Sequence, residues 1–170
     1  MITTALNTGM RRGEILTLKW FDVDLNINFI VINKTNTKSK KSREDYINSV
    51  LKRFFLKLRL KSSGNEDVFL DDKGNRLKEI KNGYNSACSR AGIEGLRFHD
   101  LRHSAATRMI ESGVNIVAVS KISGHSDIKT TMRYTHPDIS LKDALENLVI
   151  YEQSTTNITT SENIEKDVAR

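Results

Sequence analysis

The chain has 170 residues, with 27 Lys plus Arg against 21 Asp plus Glu, four His, one Cys and one Pro, for a net charge of +6. That length suits one domain with a core of its own, and 38% hydrophobic residues set it apart from a disordered chain. The single Cys excludes a disulfide framework or a Cys-based zinc site and fits a reducing cytoplasm; no apolar run approaches a membrane span and no leader pattern precedes the first polar cluster.

In chain order, apolar residues at 2, 5, 6, 10, 15, 16 and 18 predict a helix from Ile2 to Leu18, bent or interrupted at Thr8-Gly9. Between Val23 and Ile47 the pattern turns to strands. Phe29-Ile30-Val31-Ile32 is a β-branched run, Asn26-Ile27-Asn28 a turn, and Arg43 to Asn48 a third strand. The polar, lysine-rich stretch Asn33 to Ser42 is then an exposed hairpin tip, and the result is a small antiparallel meander. Asn48 or Ser49 caps a helix through Leu60, with Val50, Leu51, Phe54, Phe55 and Leu58 on one side and Lys52, Arg53, Lys57 and Arg59 on the other.

Asp71 to Asn75 reads as a turn. Leu77 to Ala91 reads as a helix with Leu77, Ile80, Tyr84, Ala87, Cys88 and Ala91 inward, which makes Cys88 a core filler. Phe98 to Ser112 is the next helix, packing Phe98, Leu101, Ala105 and Met109 and ending at Gly113. Asn115 caps a short helix ending near Gly124, Ser126 caps another toward Tyr134, and Pro137 stops it. Ser140 and Asp143 form a capping-box pattern for a last helix through Ile150, and residues 151–170 have the composition of a disordered tail. The fold class is therefore mainly α with a three-stranded antiparallel meander, an α+β domain over residues 1–150.

The charge is unevenly placed. Between Lys34 and Lys61 there are ten basic and two acidic residues; residues 1–150 carry +8 and the last twenty −2. A concentrated basic stretch fits a polyanion partner, because each cation that neutralises a phosphate releases a counterion; a solvated surface face is the competing account.

Four short stretches carry the chemistry: Thr8 to Glu14, Thr37 to Arg43, His99 to His103, and Ser123-Gly124-His125 followed by Arg133-Tyr134-Thr135-His136. His99 and Arg102, three apart on a helix, share a face beside the apolar stripe. His99 and His103 imitate the zincin His-Glu-x-x-His, but Asp100 stands where the glutamate base belongs and is one methylene shorter, so no metal site is expected. Cleaving a phosphodiester without metal needs a nucleophile, cations on the non-bridging oxygens, donors for the developing charge and an acid for the leaving oxygen. Tyr134, Arg11 with Arg102, His99 with His125, and a hairpin lysine supply one group for each role. The arginine fork pairs with phosphate oxygens, and lysine acidity rises near other cations. Neither an acidic magnesium cluster nor a Walker loop is present, so no cofactor is expected.

This set resembles the tyrosine recombinases, or phage-type integrases. The family pattern Thr-Gly-x-Arg-x-x-Glu matches Thr8 to Glu14, His-x-x-Arg matches His99 and Arg102, Leu-Gly-His matches Ser123-Gly124-His125, and Tyr-Thr-His matches Tyr134-Thr135-His136. The resemblance covers residues 1–150 in the family's order. It implies Arg11, Lys38, His99, Arg102 and His125 around the phosphate, Tyr134 as nucleophile, and Glu14 as support for Arg11. Two departures stand out. Ser123 replaces the family's leucine, and Glu44-Asp45-Tyr46 follows Arg43 where a proline-containing strand is common, which leaves Lys34 and Lys40 open beside Lys38.

The resemblance further implies the DNA breaking-rejoining fold and attack of Tyr134 on double-stranded DNA to give a 3′-phosphotyrosyl link. Lys38 then protonates the leaving 5′-oxygen, and each donor around the phosphate is worth roughly 3–4 kcal/mol. It implies homotetramers on paired sites, with a free fragment monomeric, and it makes the chain an N-terminally truncated catalytic domain from which the family's DNA-clamping domain is absent. The Leu141 to Ile150 helix is expected to pack either in cis or on a neighbour. A type IB topoisomerase, a binding-only regulator and, last, a metal hydrolase are the competing functions; a cytoplasmic, nucleoid-associated location follows from the first reading.

Overall fold

The first helix stops where its glycine allows. In the computed structural model, which describes residues 1–33, 42–62 and 64–135, α1 spans Ile2–Thr8 and Gly9 closes it in the left-handed conformation, φ 63°. The Gly9 N–H still reaches the Ala5 carbonyl, while Thr8 Oγ1 donates back to Thr4 and accepts from the Met10 N–H. The chain then re-enters helix as α2, Arg12–Leu16. The interruption expected at Thr8-Gly9 is thus a true break that leaves Met10 and Arg11 between two helices.

The meander follows as expected: β1 Val23–Asp24, β2 Phe29–Ile32 and β3 Arg43–Tyr46 pair antiparallel in that order. Alternation buries Ile30 and Ile32 on one face, and the register sets Asp45 opposite Ile30 and Arg43 opposite Ile32. Period two therefore carries two charged residues to the apolar side of the sheet. Residues 34–41, which include Lys34, Lys38 and Lys40, lie outside the described residues.

α3 spans Ser49–Lys61, with the Asn48 side chain accepting from the Leu51 N–H. It buries Leu51 and Phe55, with Phe54 and Leu58 partly buried, whereas Val50 is exposed. Phe55 meets Trp20 edge-on at 6.2 Å, and the Arg59 guanidinium covers the indole at 4.9 Å. α4 runs only from Lys81–Arg90, four residues later than the periodicity predicts. The Leu77 N–H is taken by Phe69 O in an extended stretch, and the Glu79 side chain accepts from the N–H groups of Ile80 and Lys81 to open the helix there. Ala91, expected inward, is exposed, while Tyr84 is buried against Phe98.

α5 spans Asp100–Glu111, α6 Ile116–Ser123 and α7 Lys129–Met132. Asn115 caps α6 as expected, but Asp127, not Ser126, accepts the first N–H of α7. α1 packs on α5 and α3, and α6 on α5, α7 and β3, around a core that includes Ala5, Ile15, Ile30, Leu51, Phe55, Leu101 and Val119. The expected helix from Ser140 and the tail lie outside the described residues. Among the described residues no helix is long and apolar enough to cross a membrane.

Candidate active site

The break after α1 is where the site begins. Arg11 is the N-cap of α2, and Glu14, one turn on, accepts from the Arg11 N–H at 2.8 Å and from its guanidinium at 3.0 Å. The other end of the Arg11 fork donates to Gly124 O at 2.8 Å, at the C-terminus of α6. Arg43 arrives from β3 and places both terminal nitrogens on the two Glu14 oxygens at 3.0 Å, while its Nε donates to Ile122 O at 3.0 Å. The C-terminal carbonyls of α6 carry partial negative charge, so two guanidinium groups at that end are electrostatically placed.

Arg102 approaches from α5. It is 4% exposed, not beside the buried stripe as the helical period implies, but within it, and it donates to the Gly9 carbonyl at 2.8 Å. Thus the left-handed turn that ends α1 also aims a carbonyl at a buried guanidinium. Burial, then Arg11 and Arg43 nearby, pull Arg102 down to about 10, still a cation at neutral pH. Burial pushes Glu14 up, but the fork and charge of Arg43 and the contacts with Arg11 outweigh it and hold the carboxyl below its ordinary value. Three guanidiniums therefore share one carboxylate. The cluster is short of negative charge.

The histidines and the tyrosine line the same cluster. His125 follows the left-handed Gly124, φ 61°, its N–H bonded to Ser120 O. Its Nδ1 shares a 2.7 Å hydrogen bond with the hydroxyl of the fully buried Thr131, which leaves Nε2 free to face a ligand. Burial, with Arg102 and Arg11 facing it, lowers His125 to about 4, so the imidazole is neutral at neutral pH. The Tyr134 ring stacks near His125, with centroids 6.4 Å apart, and its hydroxyl is hydrogen-bonded to Nδ1 of His103. Burial raises the Tyr134 phenol, and the charges of Arg102 and Arg133 oppose that rise. His99, exposed at the start of α5, meets His103 edge-on at 4.7 Å; burial and the neighbouring His103 and Arg102 lower it.

The structure therefore brings Arg11, His99, Arg102, His125 and Tyr134 into one cluster, while Lys38 lies outside the described residues. Three participants are not assigned to the site by sequence reasoning: Arg43, which locks Glu14; Thr131, which orients His125; and His103, which holds Tyr134. For Arg43 a signal existed, since strand alternation puts it on the face of Ile30 and Ile32. Ser123, the departure from the family pattern, is fully buried beneath Gly9, where a side chain on that glycine would meet its Oγ at 3.5 Å. Chemically, the arrangement offers guanidiniums and neutral imidazoles to a tetrahedral anion, with a phenol at its edge.

Comparisons with known proteins bear on the family and the fold. The model of the Phage integrase family matches residues 1–140. A shufflon-specific DNA recombinase from Escherichia coli is 37% identical over 133 residues, which is 78% of this chain and 33% of that protein. Tyrosine recombinase XerA from Saccharolobus solfataricus is 35% identical, covering 80% of this chain and 44% of its own length. Among solved structures, the XerH site-specific recombinase bound to difH substrate, in a pre-cleavage complex, superposes with a TM-score of 0.67 at 26% identity, over 79% of this chain and 41% of that one. The chain spans between a third and a half of the length of such curated relatives.

Proposed function

The chain belongs to the phage integrase family, and we propose that it is the catalytic domain of a site-specific DNA recombinase that cuts and rejoins duplex DNA through a covalent tyrosyl intermediate. One observation carries the reading: the Tyr134 phenol sits at the edge of a cluster in which Arg11, Arg43 and Arg102 face a single carboxylate, Glu14. A scissile phosphate supplies the missing negative charge.

In this mechanism Arg11 and Arg102 pair with the non-bridging oxygens, and the neutral imidazoles of His99 and His125 donate to the charge that grows on them. For His125 this requires the Thr131 hydroxyl to donate to Nδ1, so that Nε2 carries the proton. Tyr134 Oη bonds to phosphorus as the bond to the 5′-oxygen breaks, and a hairpin lysine, Lys38 by motif, gives that oxygen a proton. The phosphotyrosyl ester conserves the bond energy, so a 5′-hydroxyl from another strand reverses the step without ATP. In this reading Arg43 serves Glu14 rather than the DNA, because its three donating nitrogens are already engaged by Glu14 and Ile122. The domain boundary near residue 150, tetramers on paired sites, monomers off DNA and residence with the nucleoid complete the proposal.

The test is a nicked suicide duplex built on a sequence the chain selects from a randomised pool. Wild-type protein is expected to form a covalent adduct that peptide sequencing maps to Tyr134, and Tyr134→Phe none. An adduct at another residue, or one that survives Tyr134→Phe, rules the assignment out.

A further inference from the structure

The Tyr134 hydroxyl has a partner that the four motif stretches leave without a role. His103 lies one turn beyond His99 on α5, directly after Arg102, and its Nδ1 is hydrogen-bonded to Tyr134 Oη across 31 residues of sequence. The two rings lie against each other with centroids 5.5 Å apart, and His103 is fixed from behind by the edge-on contact with His99 at 4.7 Å. The same helix therefore presents a buried cation, Arg102, to the cluster and an imidazole to the nucleophile.

We propose that His103 is the group that holds Tyr134 and takes its proton as the phenol attacks phosphorus. The inference rests on the recombinase reading above and adds a base to it. In the forward step the proton on Tyr134 Oη passes to His103 Nδ1, the new Oη–P bond forms, and the P–O5′ bond breaks as that oxygen gains a proton from the lysine. On rejoining, imidazolium returns the proton to Oη. The tautomer is fixed by this role: Nδ1 must be bare and the proton must sit on Nε2.

Two features support a base here. A phenol that burial has raised does not ionise unaided at neutral pH, so attack needs an acceptor. Of the two nearby candidates, His125 already spends Nδ1 on Thr131, whereas the Nδ1 of His103 points at Oη itself. The charged and titratable groups that face His103 are His99 and Asp100 from its own helix, His125 from the end of α6, and Tyr134 from the segment after α7. Asp100 is the one anion among them, and both of its carboxylate oxygens are held by Arg97.

His103→Asn separates holding from proton transfer, because the amide keeps a polar atom where Nδ1 stands but does not accept a proton. Single-turnover adduct formation on the nicked duplex, followed from neutral to alkaline pH, is expected to fall by about 10²-fold at neutral pH. The rate of the variant keeps climbing with pH where the wild-type rate has levelled, and DNA affinity stays unchanged. A substrate with sulfur in place of the 5′-bridging oxygen needs no acid and is expected to rescue a lysine variant but not His103→Asn. Wild-type rates in His103→Asn, a deficit independent of pH, or rescue by the sulfur substrate would each overturn the proposal. Independently of turnover, the ring-nitrogen NMR shifts of His103 are expected to move on Tyr134→Phe, and unmoved shifts refute the contact. A wild-type chain that forms no adduct at Tyr134, while these shifts do move, refutes the recombinase reading instead and removes the proton transfer with it.

Discussion

Glu14 sits in the first turn of α2, and Asp45 sits in β3, two residues from the arginine that grips Glu14. Their carboxyl groups are shielded from solvent to nearly the same degree. Burial pushes both carboxyls upward. At Glu14 the two-pronged bond from Arg43, and the N–H and guanidinium of Arg11, reverse that push. At Asp45 only the Tyr46 N–H donates to one oxygen, the other has no partner among the described residues, and the carboxyl rises to about 6. Arg43 is close enough to favour the Asp45 charge but spends its donors on Glu14. Donors, not depth, set the sign.

The largest break in this contrast is Glu14→Ala, which leaves Arg11 and Arg43 facing each other without a counter-charge. Removing one partner of a buried pair costs about 3–5 kcal/mol, so chemical denaturation should show a loss of that order, together with loss of the covalent adduct. The next follows from Asp45. Its folded value, about 6, lies above the ordinary 3.8, so the folded chain binds the extra proton between those values. Stability is full below that window and is lost as pH rises through it, by about 3 kcal/mol in all. Asp45→Asn is expected to flatten the stability profile between those two pH values; a slope that persists in the variant would refute the assignment. Glu14 works in the opposite direction: its contribution is present at neutral pH and is lost as the pH falls toward its lowered value.

The third variant converts one carboxyl toward the other. A Cβ on Gly124 would lie 2.7 Å from an Arg43 terminal nitrogen, and φ there is +61°. Gly124→Ala should therefore cost about 1–2 kcal/mol through the left-handed backbone and lift Arg43 from Glu14. Carboxyl carbon NMR should then find the Glu14 titration moved up, in the sense of Asp45. A Glu14 titration that stays in place would show that Arg43 is not what holds it low.

Much of this molecule is legible in the linear chain. The helix break at Thr8-Gly9, the three strands and the Asn48 and Asn115 caps all depend on neighbours a few residues away, which is the range over which period and capping rules act. Most of what is not legible depends on distance. α4 begins late because Phe69 claims the Leu77 N–H; the cap of α7 is instead a local choice between neighbours, taken by Asp127 rather than Ser126. Arg102 reads as a polar residue beside a stripe because apolar periodicity has no symbol for a guanidinium whose partner is a carbonyl 93 positions away. Thr131 and His103 are silent for the same reason, and strand alternation gives the face of Arg43 but not its partner. Each acts on a residue that another element supplies, and motif spacing does not encode that meeting.

The bond from Arg11 to the Gly124 carbonyl joins residues 113 apart, and it lies in the site itself. Closing so long a loop is entropically slow, so contacts of this kind form after the local helices and the meander. A growing chain on the ribosome thus carries the Arg11 segment through most of the synthesis of this domain without the carbonyl, imidazole or phenol that complete the centre. The centre is complete only with the last packing events of the domain, and an interrupted translation product lacks it.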